Sequence, residues 1–174
     1  MRVVAGQLRG RRIEAPDGFD VRPTTDKVRE AAFNALGSLD LLRDARVADL
    51  YAGSGALGIE ALSRGAAHCT FVERDRAAIR TLRGNLDHLG LTDVSRVVTG
   101  DALAMAGTIS VDLVLADPPY QFEAWPELLA ALKAPFVVAE SGRSLEQLTV
   151  EGWRATRAKR YGRAWVTFFE RIDR

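Results

Sequence analysis

Residues 47–73 constrain the fold more than any other stretch. An apolar run at 47–51 breaks into Asp49-Leu50-Tyr51-Ala52-Gly53-Ser54-Gly55-Ala56-Leu57-Gly58. A helical pattern then runs to about Arg64 and stops at Gly65, and a second apolar run at 70–73 ends in Glu73. Near-continuous apolar strands alternating with helices belong to a parallel sheet covered on both faces. The alternation continues with a helix at 75–89 closed by Gly90 and strands at 94–99 and 111–117. A helix at 123–132 and a strand at 136–140 follow. It stops after Gly142. Residues 153–161 and 163–170 read as two strands joined tightly at Gly162, an antiparallel terminal hairpin. The expected class is α/β.

Ahead of this region, residues 2–14 read as two short strands around a Gly-bounded turn, and Pro16, Gly18 and Pro23 punctuate a loop. A helix opens at Thr24-Thr25-Asp26, repeats Val28, Ala31, Ala32, Ala35 and Leu36 at helical spacing, and ends at Gly37. The 174 residues suit one domain with a small extension. Residues 1–23 are the expected extension, which docks RNA, and 24–174 the main domain. No apolar run approaches a membrane span, and the N-terminus lacks the apolar core of a signal peptide. One cysteine (Cys69) and two histidines (His68, His88) exclude an internal disulfide and disfavour a zinc site. The expectation is a cytoplasmic, metal-free monomer.

The net charge of +1 hides a segregation. Residues 1–13 carry +4, residues 153–174 carry +5, and 14–152 carry −8. The basic ends are either solvated strand faces or a surface for a polyanion.

A G-x-G-x-x-G pattern is weak alone. Here it follows a strand and opens a helix, and Glu73 lies 20 residues after Gly53. Two cofactors compete for such a loop. A dinucleotide would bring a pyrophosphate, which the Asp49 carboxylate would repel. S-adenosylmethionine (SAM) would bring an ammonium group, for which Asp49 is a charge-assisted acceptor. Glu73 suits the ribose hydroxyls of either. Asp101 reads equally as an acceptor for the adenine amine, with the Ala102 N–H beside it, or as a helix cap for 102–106. The expected cofactor contacts are Asp49, Ala52, Gly53, Ser54, Gly55, Glu73, Arg74, Asp101 and Ala102.

The fourth strand of the alternation ends in Asp117-Pro118-Pro119-Tyr120. Two prolines make a rigid, extended exit. Ligands of open parallel sheets bind at the carboxyl ends of the strands, so this tetrapeptide and the Gly loop should face one cleft. The chemistry that fits is transfer to an exocyclic amine. Such an amine is a poor nucleophile because its lone pair is delocalised into the ring. The Asp117 carboxylate and the Pro118 carbonyl can accept its two N–H groups and aim the lone pair, while Tyr120 stacks on the base. The base must leave its stack to enter.

The order Asp-x-x-x-Gly-Ser-Gly, Glu73, Asp101 and D-P-P-Y resembles class I SAM-dependent methyltransferases of the amino-methylating kind. Three stretches narrow the resemblance: Val4-Ala-Gly…Gly-Arg-Arg, Arg22-Pro-Thr-Thr-Asp-Lys-Val-Arg-Glu-Ala, and Leu50-Tyr-Ala-Gly-Ser-Gly-Ala-Leu-Gly-Ile-Glu-Ala-Leu-Ser-Arg-Gly-Ala. Together they resemble the bacterial RsmD family, which methylates the N2 amine of one guanine in 16S ribosomal RNA. The resemblance spans essentially the whole chain. It implies a Rossmann-like, seven-stranded, mostly parallel sheet of order 3-2-1-4-5-7-6 with an appended N-terminal β-hairpin. It implies assembled or partly assembled small ribosomal subunits as substrate. It places Asp49, Gly53, Gly55 and Glu73 in the SAM site and Asp117 to Tyr120 in the catalytic motif. Arg9, Arg11 and Arg12 near the hairpin turn are the expected RNA contacts, with Arg22 and Lys27 at the cleft rim. The C-terminal arginines rank lower, because alternate hairpin residues should face the sheet's own helices.

The tetrapeptide specifies an amine rather than a base, so an adenine- or cytosine-amino DNA methyltransferase is the alternative. An NAD-dependent oxidoreductase is opposed by Asp49 and D-P-P-Y. A SAM-responsive RNA-binding protein without activity would have to bind SAM and transfer nothing. Cys69 and His68 read as packing and surface residues, and His88 as a favourable charge at a helix end. Phe168 and Phe169 fall on opposite faces of the last strand.

Overall fold

The computed structural model describes residues 1–18 and 24–172. Its elements in chain order are α1 (Thr24–Ser38), β1 (Arg46–Leu50), α2 (Ala56–Ser63), β2 (His68–Glu73), α3 (Arg76–His88) and β3 (Ser95–Thr99). Then come α4 (Ala102–Met105), β4 (Leu113–Ala116), α5 (Trp125–Ala131), β5 (Phe136–Ser141), β6 (Trp153–Tyr161) and β7 (Ala164–Arg171). The seven strands form one sheet of order β3-β2-β1-β4-β5-β7-β6. The first five are parallel, and β7 runs antiparallel to both β5 and β6. This is the order that the family resemblance implied.

The apolar runs supply two cores, because successive strand side chains point to opposite faces. Val47, Leu113, Leu115 and Phe168 face a layer with Phe33, Leu36, Ile59 and Leu82 from α1, α2 and α3. Ala48, Val114, Val137 and Phe169 face a second layer with Trp125, Leu128 and Leu129 of α5. Both terminal phenylalanines are therefore core residues, on opposite faces. Cys69 is fully buried and its thiol is pushed up by burial, as suits a packing residue. His88 occupies the last turn of α3, where a cation is favoured. No helix among the described residues is long and apolar enough to cross a membrane.

The element boundaries move at the ends that carry the loops. The strand expected at 47–51 stops at Leu50, because Tyr51 takes a left-handed φ of 61°. The strand expected at 111–117 shortens to Leu113–Ala116, which releases Asp117 from the sheet. The helix expected at 123–132 begins at Trp125, with a proline in its first turn.

The N-terminal arm differs more. It is held by a single antiparallel bridge, Arg2↔Arg12, instead of a strand ladder. Some of its backbone donors close the arm on itself, as from Val3 to the Arg11 carbonyl at 2.9 Å and from Ile13 to the Met1 carbonyl at 2.8 Å, and others reach the body. The Val4 and Ala5 amides donate to Glu60 at 3.0 Å, the Leu8 amide donates to the Ser63 hydroxyl at 3.0 Å, and the Glu14 amide donates to Asn85 Oδ1 at 2.9 Å. Gly6 allows this approach: a Cβ there would lie 2.0 Å from the Ser63 carbonyl oxygen. Val3 and Ile13 are buried in the first core layer. The arm is thus a strap laid over α2 and α3.

Candidate active site

The Gly loop links β1 to α2, and its three glycines do different things. Gly55 and Gly58 let α2 pack closely. A Cβ at Gly55 would meet Leu82 at 2.4 Å, and one at Gly58 would meet Phe71 at 2.3 Å. Gly53 has a left-handed φ of 56° and open space where its Cβ would be, so the backbone there can be approached by a ligand.

Asp49 sits at the end of β1 under this loop and is buried. Its Oδ2 accepts from the Gly58 amide at 2.9 Å, in the first turn of α2. Its Oδ1 is buried without a hydrogen-bond partner. Burial pushes the carboxyl up to about 8; the Gly58 amide opposes the rise and the nearby Glu73 charge adds to it. Such an orphaned oxygen is a site for a donor or cation. Glu73, at the end of β2, accepts from the Gly53 amide at 2.8 Å and from the Arg74 and Asp75 amides at 2.8 and 2.9 Å. A carboxylate has about four acceptor positions, so one remains for a ligand hydroxyl. Asn85 of α3 fixes the loop from behind, donating to the Ser54 carbonyl at 2.9 Å and to the Glu14 carbonyl at 3.0 Å.

The capping reading of Asp101 is seen in the structure. Its Oδ1 accepts from the Ala104 amide at 2.9 Å, and its Oδ2 lies 3.6 Å from Arg74. Ala102 is buried at the start of α4. Ala52 is buried, its amide bonded to the Val72 carbonyl.

β1 and β4 are neighbours, with Leu50 opposite Ala116, so Asp117 begins where the Gly loop begins. Asp117, Pro119 and Tyr120 are exposed, while Pro118 is buried and anchors the exit. The Tyr120 ring lies against Gly142 just past β5; a Cβ on Gly142 would stand 2.8 Å from it. The structure therefore brings the Gly loop, Glu73 and the tetrapeptide to one end of the sheet. No cluster of three or more metal-ligating side chains occurs among the described residues.

Two residues escape a reading of the sequence. Tyr51 is held in a backbone conformation unusual for a bulky side chain, which is a form of local strain. Its hydroxyl is buried without a partner. Burial and the Asp101 charge push its phenol up to about 12, against the opposing charge of Arg74. Its ring meets that of the second residue, Phe122, edge-on at 5.5 Å, and Phe122 meets Trp125 at 5.1 Å. This aromatic wall joins the two loops. The only signal is an aromatic in or beside each motif, and nothing in the residue types announces the left-handed backbone.

Of the expected RNA contacts, Arg9, Arg11, Arg12 and Lys27 are all exposed. Arg11 donates to the His88 carbonyl at 3.2 Å, and Arg12 pairs with Glu14 at 3.1 Å. Arg22 lies outside the described residues.

A Rossmann-like sheet of this order, with a Gly loop and a D-P-P-Y loop on adjoining strands, is the framework of a class I methyltransferase. A family model described as "Conserved hypothetical protein 95" matches residues 1–170. The Bacillus subtilis protein YlbH, which carries the name of an rRNA methyltransferase, is 39% identical over 184 residues, covering 98% of this chain and 99% of that one. The Escherichia coli ribosomal RNA small subunit methyltransferase D is 46% identical over 124 residues, covering 70% and 61%. A solved Escherichia coli structure that carries the name of the methyltransferase yhhF superposes with a TM-score of 0.86 at 35% identity, covering 100% and 99%. The chain belongs to this family, the RsmD-like ribosomal RNA methyltransferases.

Proposed function

We propose that this protein transfers a methyl group from SAM to the exocyclic N2 amine of a guanine in 16S ribosomal RNA, acting in the cytoplasm on assembled or partly assembled small subunits. The observation that carries the reading is the junction of the Gly loop with Asp117 across the β1–β4 pair. SAM, when bound, supplies an electrophilic methyl on a sulfonium. The residues present fit it. Asp49 offers a buried, unpartnered oxygen to the ammonium group, Gly53 opens the loop to the ligand, and Glu73 offers its remaining acceptor position to a ribose hydroxyl. Arg74, Asp101 and Ala102 border the adenosine end. Asp117 and the Pro118 carbonyl accept the two N–H groups of the target amine, and Tyr120 covers the base. The substrate is held by phosphate contacts that position it without reading sequence. Arg9 and its neighbours on the arm supply some of these.

The deciding experiment is methyl transfer from labelled SAM to small subunits from a strain lacking this protein. The modified nucleoside is identified by mass spectrometry. N2-methylguanosine supports the reading. A methylated adenine or cytosine, or no transfer, removes it.

Glu73→Ala should weaken SAM binding by about 1.5–3 kcal/mol, the range for a hydrogen bond to a charged group. Titration calorimetry reads it directly, and unchanged affinity would take Glu73 out of the ribose role.

Asp49 sets a pH dependence of opposite sign to that of most carboxylates. Its folded value of about 8 lies above the ordinary 3.8, so between these the native protein keeps a proton that the unfolded chain has lost. Stability of the ligand-free protein should therefore fall as pH rises from about 4 to 8, and Asp49→Asn should flatten that slope. Denaturant melts across this range test it. An unchanged slope in the variant would mean that Asp49 is not the group responsible.

A further inference from the structure

The segment 153–164 carries five cations and no acid. It forms β6 and its turn, and β6 is the outermost strand of the sheet. The expectation that half of these side chains would be turned inward fails. Arg154, Arg157, Lys159, Arg160 and Arg163 are all exposed, while the more covered positions fall to Trp153, Ala155, Ala158 and Tyr161. Past a register shift between Ala155 and Arg157 the pairing is regular to Tyr161, so Lys159 and Arg160 leave the strand on opposite faces, and both are exposed because β6 is the outermost strand. Arg154 pairs with Glu170 at 3.2 Å, and Arg160 donates to the Gly162 carbonyl at 2.8 Å. The side chains of Arg157 and Arg163 have no hydrogen-bond or ion-pair partner among the described residues.

The register places the part of this charge from Lys159 to Arg163 beside the catalytic end, while Arg154 lies level with Phe136 at the other end of β5. One residue beyond the Ala116↔Ala139 pair, Asp117 is level with Glu140; Glu140 pairs with Val166, and Val166 with Lys159. Lys159 is thus three strands away from Asp117, about 14 Å at ordinary strand spacing. The turn between β6 and β7 lies at the same end of the sheet, because Ser141 pairs with Trp165. Tyr120, against Gly142, lies over the end of β5 between the two.

We propose that the outer edge of β6 and its turn form a rail for the phosphate backbone of the single-stranded RNA that flanks the target nucleotide. This rests on the reading of the substrate as ribosomal RNA. Edge strands often carry cations merely to prevent pairing with other chains. Here the run is mostly arginine, suited to phosphate, lacks acids and ends beside the cleft. A base is unstacked at least cost from single-stranded RNA, whose neighbouring phosphates a cationic track within a few nucleotides would hold.

The test is the variant Arg157→Gln/Arg160→Gln/Arg163→Gln. Binding is measured across a salt series, to a labelled single-stranded RNA oligomer of arbitrary sequence and to small ribosomal subunits from the deficient strain. The salt slope should flatten by about 2, at about 0.7 for each single-strand phosphate that the variant no longer neutralises, and low-salt affinity should fall about ten-fold or more. SAM affinity by calorimetry should be unchanged, which shows the fold intact. Wild-type slopes for both RNAs, with SAM binding intact, overturn the rail. Self-association of the variant with unchanged RNA slopes also overturns it, and assigns the cations to edge protection. If wild-type protein methylates no small subunit but the variant still shows a flattened slope on the oligomer, the substrate reading fails and the rail stands.

Discussion

Glu60→Ala should destabilise the protein by about 3–5 kcal/mol, the loss expected when one partner of a buried charge network is removed. Glu60 is fully buried in α2, where its carboxylate gathers groups from the arm, from α1 and from the end of its own helix. Its Oε1 takes the Ala5 amide at 3.0 Å and Arg64 Nε at 2.9 Å. Its Oε2 takes the Val4 amide at 3.0 Å and faces Arg29 Nε at 3.7 Å. Arg29 is itself 1% exposed, and its guanidinium also reaches Asp26 and the Arg2 carbonyl. Without Glu60, Arg29 keeps a desolvated charge with a half-exposed carboxylate and the Arg2 carbonyl as its remaining partners, and two amides of the arm are left unpaired. A domain of this size has about 5–15 kcal/mol in total, so the variant should sit near the edge of folding. Urea denaturation measures it. A loss below about 1 kcal/mol would show that the arm relaxes onto water and that Glu60 does not pin it.

That network also shows where sequence reading stops. The parallel sheet is legible because its strands are mostly apolar and alternate with helical patterns closed by glycines. The Gly loop is legible because strand, glycines and Glu73 recur at fixed offsets. Glu60 is not legible. A single acid within Ile59-Glu60-Ala61-Leu62 reads as the solvent side of a helix, yet nearly the whole of α2 is buried. Its partner Arg29 comes from another helix, and its two amides from the first five residues. No local period encodes such a meeting. The N-terminal segment reads as two short strands around a turn for the same reason: the amides of Val4, Ala5, Leu8 and Glu14 are satisfied by α2 and α3, which only the tertiary fold brings near. The cations of β6 are all exposed because β6 is the outermost strand, which residue spacing alone does not show. Asp101 shows a different limit, since one residue type serves a cap and a ligand contact equally well and only geometry shows the cap.

Asp117→Ala should lower single-turnover methyl transfer by about 10² or more, as expected when one positioned electrostatic interaction is removed from the transition state. The position makes this a clean measurement. Asp117 lies beyond the last residue of β4, is exposed, and follows a strand whose four residues are all buried. Its removal therefore leaves the core intact, and surface changes of this kind usually stay within about 0.5 kcal/mol of stability. Asp49, Gly53 and Glu73 hold their places through backbone contacts that do not involve Asp117, so SAM affinity should be unchanged. Asp117→Asn separates two contributions. It retains an oxygen acceptor for one N–H of the target amine but loses the charge that favours its rehybridisation. Its rate should fall between those of the wild type and Asp117→Ala. The rates are measured on small subunits at saturating SAM. A near-normal rate for Asp117→Ala would leave Pro118 as the only acceptor supplied by the tetrapeptide and would remove the carboxylate from amine positioning. A fall in SAM affinity matching the fall in rate would instead place Asp117 in the cofactor site, where the neighbouring end of β1 already supplies Asp49.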